Sequence, residues 1–161
     1  MTAQLVGDAC LALLVEFVGR RIDRIRRIHY ELAGEANFSR GPIEISAGAL
    51  VAWFDQASDG AHLRGHRGVW VDVFEEDPTE ESRLIAQNEG KLSAFDVTAL
   101  REFECIVGHE TLAIRPTVNL YEDVVLGFGF ELVTDAGVLA AWVDSDEFYV
   151  AVRRGQREPD A

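Results

Sequence analysis

The sequence predicts an α+β, strand-rich single domain over 1–161, built from two repeated helix–strand–hairpin units that form one antiparallel sheet or two packed sheets, with one or two extra helices. Three observations carry that prediction. Short apolar runs alternate with turn residues along most of the chain, a strand-and-turn pattern recurs at an offset of 89 positions, and 161 residues fit one ordinary domain.

The elements follow in order. Residues 3–18 are apolar nearly throughout, with Leu11, Leu14 and Val18 at helical spacing, so a buried helix ending near Gly19 is expected. Residues 20–32 admit a helix through Leu14, Val18, Ile22 and Ile25, or a strand through the alternation Ile22, Arg24, Arg26, Ile28 and Tyr30. The repeat favours the strand, because it lays Pro116 over Arg27 and a helix interior resists proline. Strands are expected at 42–46, 49–55 and 69–74. Thr79 as N-cap, Glu80 and Glu81 in a first turn, Leu84, Ile85 and Asn88 at helical spacing and Gly90 as a stop predict a helix over 79–88. A second short helix is expected at 97–107, then strands at 111–121, 124–134, 138–143 and 146–153, and a polar, frayed tail.

The repeat sets residues 11–63 over 100–152, joined by a linker at 64–99. It matches Leu11/Leu100, Val18/Val107, Gly19/Gly108, Ile25/Ile114, Arg26/Arg115, Ala47/Ala136, Gly48/Gly137, Leu50/Leu139, Ala52/Ala141, Trp53/Trp142 and Asp55/Asp144. Gly48 and Gly137 read as tight-turn glycines. The strand after each carries Leu and Ala on one face and Trp and Asp on the other.

The net charge of −13 disfavours nucleic-acid phosphate and anionic membrane as partners and favours basic ones. Cys10 and Cys105 sit in apolar runs and read as core residues of a chain in a reducing cytoplasm. No run is long enough to span a membrane, and the early apolar segment lacks the basic start of a signal peptide. The cluster Arg20, Arg21, Arg24, Arg26 and Arg27 is expected to pair with the chain's own acids. No G-x-S-x-G, P-loop, H-E-x-x-H or C-x-x-C occurs, so no catalysis, cofactor or metal is expected. His62 and His66, four apart, lie among Gly60, Gly65 and Gly68 and read as turn histidines.

Two stretches mix acids with aromatics. One holds Trp70, Phe74, Glu75, Glu76 and Asp77, followed by Glu80 and Glu81; the other holds Asp146, Glu147, Phe148 and Tyr149. Acids beside apolar anchors suit a surface that receives a basic protein. A turn glycine, an apolar strand and Asp146-Glu147-Phe148-Tyr149-Val150, mainly within 129–152, resemble small acidic bacterial immunity proteins, which neutralise polymorphic toxins in the producing cell. That resemblance implies a cytoplasmic inhibitor that plugs the active site of a toxin domain, many of which are basic nucleases or deaminases. Two other expectations stand beside it. Asp55 and Asp144 could serve a small-molecule-binding or enzymatic barrel-like domain as a carboxylate pair, and exposed strand edges could pair in a structural homodimer.

Overall fold

In the computed structural model, which describes residues 7–32, 35–36, 40–72, 79–145 and 147–155, the first apolar run becomes helix α1 (Asp8–Val15). It buries Cys10, Leu13 and Leu14, and Phe17 follows in the next turn. The chain then passes through Gly19 into β1 (Arg24–Leu32), so residues 20–32 are mainly strand.

Two antiparallel sheets follow. In the first, β1, β3 (Ile43–Ala47), β4 (Leu50–Gln56) and β5 (Leu63–Arg67) pair in succession, and the short β2 (Glu35–Ala36) meets the far end of β1. A strand from the linker, β6 (Lys91–Asp96), takes the other edge of β1. The second sheet is the meander β7 (Ala113–Tyr121), β8 (Val124–Val133), β9 (Gly137–Asp144) and β10 (Glu147–Arg154). The alternation read in the sequence places Leu50, Ala52 and Phe54 on the buried face of β4, and Leu139, Ala141 and Val143 on that of β9. These faces share one core, in which the rings of Phe54 and Phe130 lie 5.4 Å apart. Full burial of each such side chain stabilises by about 1.5–3 kcal/mol, so the fold rests on this sandwich rather than on its surface pairs.

The two halves are tied by main-chain bonds at one crossing. Gly19 donates to the Thr111 carbonyl (2.8 Å) and Thr111 to that of Arg20 (2.8 Å); Gly108 donates to the Ile22 carbonyl (2.8 Å) and Ile22 to that of His109 (3.0 Å). The offset of 89 exchanges the first bond with the third and the second with the fourth. It also carries Arg21 onto Glu110, its own bridge partner. The same offset carries β1 onto β7, residue for residue.

Four expectations are corrected. The described part of 69–74, residues 69–72, is not strand. Trp70 there is held by Arg26 and Glu44, and the edge of β1 goes to β6, whose Lys91-Leu92-Ser93-Ala94-Phe95-Asp96 shows no clear apolar alternation. Residues 97–107 form turns around one 3-10 turn, Arg101–Phe103, because Thr98 is drawn back to Ile25: its Oγ1 accepts from the Ile25 amide at 3.1 Å. Gly48 does take a left-handed turn, at φ 61°, but Gly137 is a strand residue. A Cβ there would sit 2.5 Å from Cys105 Sγ, so close packing is what calls for glycine. Lastly, His66 lies in β5 rather than in a turn.

Helix α2 (Glu80–Glu89) starts as the sequence indicated. Thr79 Oγ1 accepts from the Ser82 amide, and Ser82 Oγ accepts from that of Thr79. None of its residues is buried, so it lies on the surface against β1.

Gly41 has φ 123°, and a Cβ there would meet the Ile28 carbonyl oxygen at 1.9 Å, whereas Gly48 faces open space. Urea unfolding should therefore show a loss of about 3 kcal/mol or more for Gly41→Ala, against about 1–2 kcal/mol for Gly48→Ala from its left-handed backbone alone.

Candidate functional site

Where β3 ends, β1 runs on without it, since the pairing of the two stops at Arg27 opposite Ile43. The exposed end leaves a groove of about 430 Å³. Tyr30 on β1 and Leu92, its cross-strand partner on β6, form an apolar wall, 48% and 45% exposed. Asp55 and Gln56 enter from β4, and Arg40 and Glu147 from the side of the second sheet.

Each polar group has a stated origin. Asp55 is 13% exposed; it accepts from Arg64, its cross-strand partner, at 2.7 Å and faces His66 Nε2 at 3.0 Å. The His66 ring stacks on Trp53, centroids 3.7 Å apart. Glu147 pairs with Arg40 and accepts from the Tyr149 hydroxyl at 3.0 Å. That bond raises the Tyr149 pKa, and the ring stacks on Trp142. Gln56 Oε1 is buried without a hydrogen-bond partner among the described residues. The Arg40–Gly41 segment is fixed from beneath. Arg27 Nη2 donates to the Gly41 carbonyl at 3.1 Å, His29 Nδ1 lies 2.8 Å from that of Arg40, and the Gly41 amide donates to Phe148 at 3.1 Å. Burial lowers the pKa of His29, so it is neutral at pH 7.

The expected partner-binding residues divide. Glu147 lines the groove, with Tyr149 bonded to it. Phe148 is 1% exposed and belongs to the core, although it also lines the groove. Trp70 contributes through its backbone: its amide donates to Glu44 at 2.8 Å and its carbonyl accepts from Arg26 at 3.0 Å. Phe74, Glu75, Glu76, Asp77 and Asp146 lie outside the described residues. Asp55 and Asp144 are held by different partners, since Asp144 accepts from Ser145, and only Asp55 lines the groove.

Sequence reasoning missed Tyr30, Arg40, Gln56 and Leu92, the last of which joins the others only once β6 pairs with β1. It also missed the Arg26–Glu44 pair, although both residues sit in predicted strands. Two hydrogen bonds, at 2.7 and 2.6 Å, join them across β1 and β3, and the Glu44 side chain is 2% exposed. Of the arginine cluster, Arg24 and Arg26 do pair with acids, whereas Arg27 is 5% exposed and has no carboxylate salt bridge among the described residues. His62 pairs with Asp59. Among the described residues, no group of three or more His, Cys, Asp or Glu is placed to hold a metal, and no helix is long and apolar enough to cross a membrane.

A second groove, of about 740 Å³, is lined by Cys105, His109 and Asp135, and His109 Nδ1 lies 2.8 Å from Asp135. The Cys105 thiol points instead to the Arg153 carbonyl, and burial raises its pKa. Burial, with Asp55 nearby, pushes Cys10 up to about 12.

Two outcomes are expected. In native protein at pH 8 neither thiol should react with a thiolate-selective reagent on the timescale that labels unfolded chain. Glu44→Ala should cost about 3–5 kcal/mol in chemical unfolding, because it strands the Arg26 guanidinium and the Trp70 amide. Compared with known proteins, the chain matches no family model, no curated protein and no solved structure.

Proposed function

We propose that this chain is a cytoplasmic, protein-binding inhibitor that receives a basic side chain of a toxin domain in the groove between Tyr30 and Glu147. The observation that carries this reading is the convergence of Asp55 from the first sheet and Glu147 from the second on one apolar-walled groove. Gln56 Oε1 beside them is an acceptor without a donor among the described residues. A guanidinium brings five donors in a rigid fork and accepts nothing, which suits a groove lined by two carboxylates. Its aliphatic stem would lie along Tyr30 and Leu92.

The groove is not a bare acidic hole. Arg40 already pairs with Glu147, and Arg64 with Asp55. An incoming arginine therefore competes with, or bridges, ion pairs that are half in solvent and individually weak. The charge of −13 speeds the encounter with a basic surface, while the groove sets the register. Two buried free cysteines suit a reducing compartment.

The test is co-expression with the product of the gene beside its own, followed by purification and affinity measurement. A stable complex that Glu147→Lys weakens tenfold or more, and Tyr30→Ala by a smaller factor, supports the proposal. No complex, or a complex indifferent to Glu147→Lys, overturns it.

A further inference from the structure

The two halves differ most in what covers their first strand. β1 is paired on both edges, by β3 and by β6, and the β6 register runs from Arg26↔Asp96 to Glu31↔Lys91. Its counterpart β7 pairs along its length with β8 alone among the described residues. The stretch of β7 equivalent to the part of β1 that β6 covers is 115–120.

The outward groups on that edge follow from alternation. Phe128 donates to Ala61 and Thr134 to Gly137, so the even residues of β8 turn their amides away from β7. Ala113, Arg115 and Thr117, opposite the odd residues Val133, Glu131 and Gly129, are then the residues bonded to β8. Ile114, Pro116, Val118 and Leu120 face the open edge. Pro116 has no hydrogen to give, which leaves the pairing capacity toward the hairpin end. On that end the core-facing side continues as an uncovered apolar strip, with Val118 39%, Leu120 53% and Val125 47% exposed.

We propose that two copies of this chain pair antiparallel through the open edge of β7, on a twofold axis at Asn119. A twofold normal to the sheet keeps every side chain on its own face, so opposed residues must be both odd or both even in number. An axis at Val118 sets Pro116 opposite Leu120, in the middle of the ladder, and Arg115 opposite Tyr121. An axis at Asn119 moves Pro116 past the end of the second copy's β7, which turns back at Glu122 and Asp123, and sets Val118 opposite its Leu120. The register thus gives a closed hydrogen-bonded ring on each side of the axis and burial of the strip, with the proline outside the ladder. The charge of −13 on each chain opposes association; screening beyond about 8 Å at physiological salt confines that cost, and a weak, concentration-dependent dimer is the result.

Light scattering across a concentration series of the full chain tests this. Wild type should pass from monomer to dimer, and Leu120→Pro, which removes one outward amide without touching the bonds to β8, should stay monomeric. Asn119→Cys should cross-link to a covalent dimer on mild oxidation far faster than Thr117→Cys, whose opposite residue is Tyr121; the native Cys10 and Cys105 are buried. A monomer at every concentration, a dimer undiminished by Leu120→Pro, or equal cross-linking of the two cysteine variants overturns the proposal.

Discussion

Four main-chain hydrogen bonds between residues 19–22 and 108–111 fix how the two sheets face each other. Backbone groups buried at such a crossing must find partners, because an unpaired amide or carbonyl away from water costs about as much as a lost hydrogen bond. Here they find each other, and the exchange of the bonds under a shift of 89 makes the crossing near-symmetric. Everything downstream inherits that arrangement: β1 and β7 leave the crossing as counterparts, their meanders face one another, and Phe54 meets Phe130 between them. The helix before the first crossing strand then closes the gap between β5 and β7.

The halves diverge through the linker. It lays β6 along the edge of β1 and holds Trp70 to the Arg26–Glu44 pair on the outer face of the first sheet. Among the described residues no linker strand pairs with β7, although α1 packs against it. The groove is a consequence of the same asymmetry, since Leu92 of β6 supplies half of its apolar wall. A near-symmetric scaffold thus acquires one-sided chemistry from a diverged connection.

Buried polar groups mark where this arrangement is tightest. Glu44 accepts from Arg26 twice and from the Trp70 amide, so its carboxylate is well satisfied in spite of burial. Arg27 is the contrast. Its Nη2 fixes the Gly41 carbonyl, its Nε has no partner among the described residues, and burial lowers its pKa to about 10. That guanidinium places Arg40, and through Arg40 the Glu147 carboxylate, so a residue outside the groove sets the position of two groups inside it.

The sequence by itself did not mark β5, but it determined the four strands of the second meander and β1, β3 and β4 of the first, the capped helix after Thr79, and the apolar faces of β4 and β9. These are local patterns: alternation at period two, a capping pair three residues apart, a proline that excludes a helix. It also marked Glu147 and Tyr149 as a candidate site. Only the tertiary structure decided that Phe148 between them is core, that 91–96 supplies a linker strand while the described 69–72 does not, and that Asp55 joins Glu147 while Asp144 stands apart. Those outcomes depend on which edge is free and which face is covered, and a period-two pattern states neither. Phe95 and Asp96 break the polar–apolar alternation of β6, yet its backbone could still complete the edge of β1, because edge pairing is made by main-chain groups that every residue but proline carries alike.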